Sequence, residues 1–246
     1  MQNSNRAIVA WLFVGCVLIF FMVAIGGLTR LTHSGLSMVE WNLFMGSIPP
    51  TTDSDWNILF EKYKQYPEYQ LVNFNISLDE FKSIFYWEYG HRMFGRLIGL
   101  VFIIPFLFFW IKGRISKTLM PKLLLILFLG GFQGFLGWYM VKSGLIKNPD
   151  VSHYRLAMHL ITAFITFAYT FWVALQVWFF DSKKKAHPLK KYLVILLPLL
   201  LTQIVWGAYV AGLNAGKVYN TWPKMGGQWV ADGVTAIEPW WLNFVE

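Results

Sequence analysis

The sequence has very little charge and a single cysteine. Charged residues make up 14% of the 246 residues, whereas soluble domains carry about 25%. Cys16 stands alone, so a disulfide-stapled scaffold is excluded. Hydrophobic residues reach 56%, which excludes a disordered chain, because disorder requires low hydrophobicity. What remains is a protein with too little polar surface to be surrounded by water.

Five apolar runs are each long enough to cross a bilayer, which takes about 20 helical residues. They cover residues 8–28, 89–111, 119–141, 156–180 and 192–213. The first run is longer than the apolar part of a signal peptide and lacks a clear small-residue cleavage site, so we interpret it as a retained helix. The sequence therefore predicts an all-α integral membrane protein whose principal partner is the lipid bilayer.

The basic residues predict the orientation of this protein. Three segments, 1–7, 112–118 with Lys122, and 181–191, hold ten of the 21 basic residues and one of the 13 acidic residues. The net charge of +8 thus divides into +9 on these segments and −1 elsewhere. Because short cytoplasmic loops carry the excess of Lys and Arg, we expect a cytoplasmic N-terminus. The net positive charge is then explained by the orientation of the protein in the membrane, and nucleic-acid binding is not expected.

The outer segments and a weak internal repeat predict how the chain is divided. Residues 29–86 are predicted to form a long outer loop that contains two amphipathic helices, 57–66 and 78–85. Loops of this length are usually functional. The small-residue end of the first span, Gly26-Gly27, resembles the Gly207 to Gly212 end of the fifth. We therefore expect a four-helix unit in residues 1–191, and in 192–246 a fifth helix that begins an incomplete second copy.

Two histidines fall at matching depth in the second and fourth spans. His91 lies 21 residues before Lys112, and His159 lies 22 residues before Asp181, which places both about 31–33 Å from the inner boundary. Gly95 and Ala163, four residues on and one turn deeper, would let a flat macrocycle approach both helices. Matching depth is what two axial ligands of one haem require. The alternative is that each histidine is an interfacial polar residue bonded to a neighbour.

Other ionisable residues near this depth are candidates for the same site. Three arginines lie near the outer surface, where haem propionates need cationic partners: Arg92, Arg96 and Arg155. Glu88, three residues before His91, either relays protons or stabilises developing charge beside a macrocycle, or forms an i,i+4 ion pair with Arg92. Spacing alone leaves both open. His33 and His153 are rivals in outer loops, where solvated histidines are common, and His187 among lysines is expected to be inert.

Five ordered motifs resemble those of the haem A synthase family and cover nearly the whole chain. They are Gly26-Gly27-Leu28-Thr29-Arg30 with Ser34-Gly35-Leu36 and Trp41; Glu88-Tyr89-Gly90-His91-Arg92 with Gly95-Arg96; Gly134 with Gly137-Trp138-Tyr139 and Lys142-Ser143-Gly144-Leu145; Arg155-Leu156 with His159-Leu160; and Gly207-Ala208 with Gly212-Leu213 and Asn220-Thr221-Trp222-Pro223. The resemblance implies eight transmembrane helices in two pseudo-symmetric halves. It implies oxidation of the C8 methyl of haem O to the formyl group of haem A, for cytochrome oxidase biogenesis.

The resemblance also assigns roles to residues. It implies that His91 and His159 ligate the iron of haem O or haem A in the N-terminal half, that Glu88 assists the oxidation, and that a partner haem or external acceptor takes the electrons. A haem b would occupy a second His pair, which residues 1–246 do not contain, so the chain is expected to be truncated. The cysteine pair that some members carry in the first outer loop is missing. Expected partners are a haem O synthase, cytochrome oxidase assembly factors and a further copy in a homo-oligomer.

Two other functions remain open from the sequence. One is a bis-histidine haem protein that only transfers electrons, and the other is a membrane scaffold without haem. No Arg- and Ser-rich transit peptide precedes the first span, which favours the bacterial cytoplasmic membrane. Trp41, Trp56 and Trp87 are candidates for sealing a haem from water.

Overall fold

The computed structural model is all-α over the residues it describes, which are 3–40, 46, 48–179, 187–231, 234 and 237–244. Seven α-helices follow in order: α1 Asn3–Leu31, α2 Asp53–Tyr63, α3 Pro67–Leu71, α4 Leu78–Ile111, α5 Met120–Gly144, α6 His153–Trp178 and α7 Lys190–Gly212. Two short 3₁₀ helices, Ala215–Lys217 and Trp240–Phe244, come after them. The predicted fold class is confirmed.

Five of these helices are long and apolar enough to cross a membrane: α1 from Arg6, α4, α5, α6 and α7. They correspond to the five predicted spans, and their ends differ from the predicted ends by a few residues in most cases. A multi-pass membrane protein follows from their length and composition. Asp181, and with it most of the third basic segment, lies outside the described residues.

The largest difference from the predicted boundaries is at α4. The predicted amphipathic helix 78–85 and the span 89–111 form one helix of 34 residues, Leu78–Ile111. It begins with a capping box, in which the Ser77 hydroxyl accepts from the Glu80 backbone N–H and the Glu80 carboxylate accepts from the Ser77 N–H. No glycine or proline follows until Gly90, so the helix continues. At about 51 Å it exceeds the ~30 Å hydrocarbon core, and its first turns extend beyond the membrane.

The predicted outer helix 57–66 is observed as α2, displaced toward the N-terminus. A second capping box starts α2 at Thr52, whose hydroxyl accepts from the Asp55 N–H. The helix ends at Tyr63, and Pro67 then starts α3 at its first position. The boundary error arose because the capping residues, rather than the hydrophobic pattern, determine where α2 begins.

Helices α1, α4, α5 and α6 pack into a four-helix bundle whose buried core lies far from α2. Its members come from all four helices: Ile8, Trp11, Leu12, Phe106, Phe109, Leu119, Leu123, Ile126, Val173 and Ala174. Trp11 also donates from Nε1 to the Val101 carbonyl, at 2.9 Å. Most other side chains of the spans are exposed in the isolated chain, as expected for helices that face lipid.

At the other end of the bundle, α2, α3 and residues 34–40 form a cap over the first turns of α4. The cap closes on an aromatic core that contains Trp56, Phe60 and Tyr63 together with Phe81 and Phe85 of α4. Trp56, predicted as a seal, is part of this core. Trp87 is 43% exposed, and Trp41 lies outside the described residues. The cap therefore rests on the same helix that carries His91.

Helix α7 is attached to the bundle at its C-terminal end. A Cβ on Gly212 would come within 2.5 Å of the Cβ of His153 in α6, so only glycine allows this approach. Arg30, in the last turn of α1, donates to the Ala211 carbonyl and, at 3.3 Å, to Asn214 Oδ1. Asn214 in turn donates to Asp150 at 3.3 Å. The opposite end of α7 is exposed.

Candidate functional site

His91 of α4 and His159 of α6 come together inside the bundle. Both are partly buried, and their imidazoles lie close enough to interact electrostatically. His91 is 20 residues before the end of α4 and His159 is 19 before the end of α6, which is about 30 Å and 28 Å along the two helices. The depths estimated from charge positions therefore agree with the helices as they fold.

Each imidazole lies against a glycine of a neighbouring helix. A Cβ on Gly26 of α1 would be 3.3 Å from His91 Nε2, and a Cβ on Gly137 of α5 would be 3.5 Å from His159 Cε1. All four bundle helices thus border the histidine pair. Sequence reasoning did not assign these two glycines to the site, although both fall in motifs it singled out. It interpreted Gly26 as part of a helix end and named Gly137 as part of a motif that resembles the family.

One nitrogen of this pair has no protein partner. His159 Nδ1 is the only buried side-chain nitrogen or oxygen atom, within the part of the chain that is described, that makes no hydrogen bond. Leaving such a group unpaired costs free energy comparable to a lost hydrogen bond. The histidine backbone is held nevertheless, because Gln133 donates to the His159 carbonyl at 3.2 Å. His159 therefore has hydrogen-bonding capacity at Nδ1 that no protein group uses.

These features fit a haem held between two axial histidines. Across the described ranges, no group of three or more His, Cys, Asp or Glu side chains is placed to hold a metal ion, so a tetrahedral site of the zinc type has no candidate there. Two imidazoles with small residues around them suit a planar macrocycle that supplies the remaining iron ligands itself. If ligand binding reorients the His159 ring, its Nδ1 atom can also gain the hydrogen bond that it lacks here.

The two small residues predicted one turn deeper are less open than expected. A Cβ on Gly95 would lie 3.3 Å from Met22 Cε of α1, so a methionine end occupies the space beside this glycine. Ala163 is partly buried. A methionine side chain is flexible and unbranched, and it can move aside for a ligand at small cost.

Glu88 is buried, with 3% of its surface exposed, and both of its carboxylate oxygens accept hydrogen bonds. Its Oε2 accepts from the Ser37 hydroxyl at 2.8 Å and from the Met38 N–H at 2.6 Å, and its Oε1 accepts from Arg92 Nη2 at 2.5 Å. The ion pair that spacing left open is therefore present. Arg92 also donates to the Met38 carbonyl at 2.9 Å. Glu88 thus fastens residues 34–40 of the cap to α4, one turn from His91.

The other two arginines lie on the helices that carry the histidines: Arg155 is in the first turn of α6, and Arg96 lies five residues after His91, further along α4 from the cap. Arg155 donates to the Tyr139 carbonyl at 2.8 Å, and its guanidinium carbon is 3.8 Å from the centre of the Tyr139 ring, so α5 and α6 are joined here. Arg96 is half-buried and donates to Met93 Sδ at 3.7 Å. All three candidate arginines therefore lie on the two helices that carry the histidines: Arg92 and Arg96 on α4, and Arg155 on α6.

The rival histidines have local roles. His33 lies two residues after the end of α1 and has a left-handed conformation, with φ of 49°. His153 is the first residue of α6, and its ring packs against Tyr154 and Tyr209, with centroids 4.0 Å and 5.4 Å away. His187 is exposed and accepts from the Leu189 N–H through Nδ1 at 3.3 Å.

Sequence reasoning missed a buried carboxyl group in the cap. Glu68, on α3, is 5% exposed. Its Oε2 accepts from the Tyr63 hydroxyl at 3.2 Å, and that hydroxyl accepts from Asn73 Nδ2 at 2.9 Å. Burial, followed by the negative charge of Glu88, raises the pKa of Glu68 to about 8. The same burial and the Glu68 charge raise the pKa of Tyr63. A glutamate in a five-residue helix gives no sequence signal of burial.

The fold and the site define a multi-pass α-helical membrane protein with a paired-histidine site beneath an aromatic cap. The family described as "Cytochrome oxidase assembly protein" matches residues 9–246. This chain belongs to that family.

Named relatives agree with the family match. A protein named heme A synthase from Flavobacterium psychrophilum is 49% identical over 249 residues, covering 100% of this chain and 74% of its own length. Proteins of the same name from Flavobacterium johnsoniae and Parvibaculum lavamentivorans are 48% and 47% identical; the matches cover 95% and 99% of this chain, and 70% and 71% of theirs. No solved structure matches the chain.

Proposed function

We propose that this protein oxidises the C8 methyl of haem O to the formyl group of haem A, and that the substrate binds between His91 and His159. The observation that carries the proposal is this pair, two imidazoles at equal depth, one with a buried nitrogen that no protein group satisfies. Relatives of the chain bear the corresponding name. The protein is an oxidoreductase with haem as its ligand, and it serves cytochrome oxidase assembly.

The surrounding residues fit an amphipathic ligand of this kind. A haem has two propionates on one edge and an apolar opposite edge, so it lies with the propionates toward water. Arg155 lies one turn before His159, toward the cap, and supplies a cationic partner at that end. Arg96 lies five residues after His91, away from the cap, and Arg92 is held by Glu88. Gly26 and Gly137 leave room beside the imidazoles. His91 and His159 would hold the haem iron, and the residues around them would orient the macrocycle for oxidation of its methyl group.

Glu88 is the proposed acid–base residue. Oxidation of a methyl group removes protons and electrons. A partner haem or an external acceptor would take the electrons, and the protons need an acceptor near the macrocycle. Glu88 lies three residues before His91 on one helix face, and its Oε1 accepts from a single donor, Arg92. The same contacts support the second candidate, a bis-histidine haem protein that transfers electrons only. In that case Glu88 serves as an anchor for residues 34–40 and nothing more.

The experiment that tests the proposal is haem extraction from the purified 246-residue chain, expressed in cells that make haem O. Chromatography and mass measurement identify the bound haem. We expect haem O, a hydroxylated derivative or haem A. Haem B alone would favour electron transfer, and a chain without haem would contradict the paired-histidine site.

The proposed orientation places the N-terminus in the cytoplasm of a bacterium and the cap outside. In a Cys16→Ala background, Gln65→Cys in the cap should react with a membrane-impermeant maleimide in intact cells. Thr118→Cys, in the turn between α4 and α5, should react only after the cells are lysed. Both positions are exposed, so the comparison depends on sidedness alone. The reverse labelling pattern would overturn the orientation.

We also propose that the chain is divided into two units, residues 1–191 and 192–246, and that it has protein partners. Every proposed site residue falls within residues 1–191, and α7 touches this unit through Gly212 and through Arg30. That arrangement suits a second unit that begins with α7. A haem O synthase as donor, cytochrome oxidase assembly factors and a homo-oligomer are proposed from the family.

A further inference from the structure

Helix α5 carries an amide side chain in the middle of its span, beside the histidine pair. Gln133 lies 13 residues after Met120 and 11 before Gly144, the two ends of α5, which is about 20 Å and 17 Å along the helix. Polar side chains at this depth in a membrane are costly and usually functional. The reaction as proposed gives Gln133 no role beyond support of the His159 backbone.

The side chain of Gln133 starts from the face of α5 that points into the bundle. It lies seven residues, two turns, after Ile126 of the bundle core and four residues, one turn, before Gly137, which borders His159. Its Nε2 donates to the His159 carbonyl at 3.2 Å. Gln133 therefore lies at the histidine pair, about 6 Å further from the cap than Gly137.

The orientation of the Gln133 amide follows from this contact. Only the NH₂ group can donate to a carbonyl, so Oε1 is the atom that is left for another partner. Gln133 makes no second side-chain hydrogen bond to any residue that the structure describes. Unlike His159 Nδ1, its Oε1 is not fully buried. An acceptor that lipid tails cannot satisfy thus lies next to the backbone of His159.

The buried threonines of α6 do not supply a donor for this oxygen. Thr166 donates to the Thr162 carbonyl and Thr170 donates to the Thr166 carbonyl, each at 2.7 Å. Both hydroxyl protons are therefore used within α6. A hydroxyl group on a ligand bound at the histidines would supply the donor that Gln133 Oε1 lacks.

We propose that Gln133 recognises the hydroxyl of the hydroxyethylfarnesyl group of haem O, which donates to Gln133 Oε1. The inference rests on the proposed function. In haem O this group is attached to the ring edge opposite the propionates. A haem whose propionates face water at the cap end places the group on the far side, where Gln133 lies. Haem B has a vinyl group at the same position and no hydroxyl to donate, so Gln133 is a specificity-determining residue.

Recognition of this group also selects which methyl is oxidised. A haem held only by two axial imidazoles and its propionates can bind in two orientations, related by a flip about the axis that runs between the propionates. The flip exchanges the C8 methyl with the C5 methyl. The hydroxyethylfarnesyl group lies on the same half of the ring as the C8 methyl, so a hydrogen bond from this group to one side chain favours one of the two orientations.

The test measures haem affinity in the full 246-residue chain, purified from haem-limited cells as wild type, Gln133→Met and Gln203→Met. The ligands are haem B and a haem B in which the vinyl at the farnesyl position is hydrated to a 1-hydroxyethyl group. Optical titration gives a Kd for each. We expect wild type to bind the hydroxyethyl haem about 5-fold more tightly than haem B, the value of one net hydrogen bond. Gln133→Met should lose this preference, because the hydroxyl then has no acceptor.

Gln203→Met is the matched control. Gln203 lies 13 residues after the start of α7, as Gln133 does in α5, but it is exposed and its helix carries no site histidine. Its variant should keep the wild-type preference, and loss of the preference in both variants would contradict the assignment to Gln133. A Gln133 that only supports His159 would make Gln133→Met bind both haems more weakly by the same factor, which would overturn the proposal.

Conversion of haem O enters none of these titrations, so failure of this inference differs from failure of the proposed function. Equal affinity of wild type for the two haems would refute the role of Gln133, whether or not the variants fold, and would leave the proposed function standing. A wild type that shows the preference but returns haem O unchanged would refute the oxidation and retain the recognition of the hydroxyl. A wild type that binds neither haem would refute both.

Discussion

Replacing either His91 or His159 with alanine should remove haem O from the purified protein and reduce haem A formation by more than about 100-fold. Loss of a group that merely orients a metal ligand costs about 10- to 100-fold in affinity, so loss of the ligand itself should cost more. The two substitutions should be equally severe, because one iron would be shared by both imidazoles. The measurement is extracted haem per protein, together with the optical spectrum.

The matched control for this pair is His153→Ala. His153 lies six residues before His159 on α6 and packs on Tyr154, so its loss tests whether any histidine at this end of α6 matters. Haem content should stay near the wild-type value. Added imidazole should restore part of the spectrum in His159→Ala, since the substitution leaves a cavity beside Gly137. Wild-type haem content in both ligand variants would exclude the paired-histidine site.

Much of this architecture follows from composition, because the bilayer imposes a simple rule on the chain. A span needs about 20 apolar residues, and that requirement predicted five helices. It does not predict where a helix stops outside the membrane. For α4 the capping box at Ser77 decides the start, and the segment before Glu88 continues without a break. The predicted break between the helix 78–85 and the span 89–111 was therefore wrong, and the helix that carries His91 also supports the cap.

The part of the candidate site that depends on position along a helix was predictable from the sequence. His91 and His159 could be matched by counting residues from charged ends, since a helix rises by a fixed ~1.5 Å per residue. The neighbours of the pair were not predictable in this way. Gly26 and Gly137 approach the imidazoles through the rotation of α1 and α5, which depends on packing. Glu68 is buried in the α2–α3 cap, whose aromatic core includes Phe81 and Phe85 of α4, and this burial depends on tertiary packing rather than on local sequence.

The cap also explains why spacing could not decide the role of Glu88. A carboxylate at i and an arginine at i+4 predict an ion pair, and the structure contains it. The donors from Ser37 and Met38 come from a segment about 50 residues away and have no local signal. These contacts make Glu88 an anchor as well as a candidate acid–base residue, and the two roles have different consequences for a variant.

Glu88→Gln should retain haem O but lose its conversion to haem A by about 100-fold or more, the range expected when a general acid–base group is removed. Glutamine has nearly the same shape and keeps one oxygen for Arg92, so the histidine pair should still bind the ligand. The measurements are haem content, the ratio of haem A to haem O after a fixed time, and the melting temperature.

The control for the anchoring role is Ser37→Ala, which removes one donor to Glu88 and leaves the carboxylate in place. We expect it to lower the melting temperature, because a buried hydrogen bond is worth about 1 kcal/mol, while conversion per bound haem stays near wild type. Comparing the two variants distinguishes the anchoring role of Glu88 from its role in the reaction. If Glu88 is purely structural, both variants should lose stability and bound haem together. Conversion at the wild-type rate in Glu88→Gln would remove Glu88 from the reaction and leave it only the role of an anchor for residues 34–40.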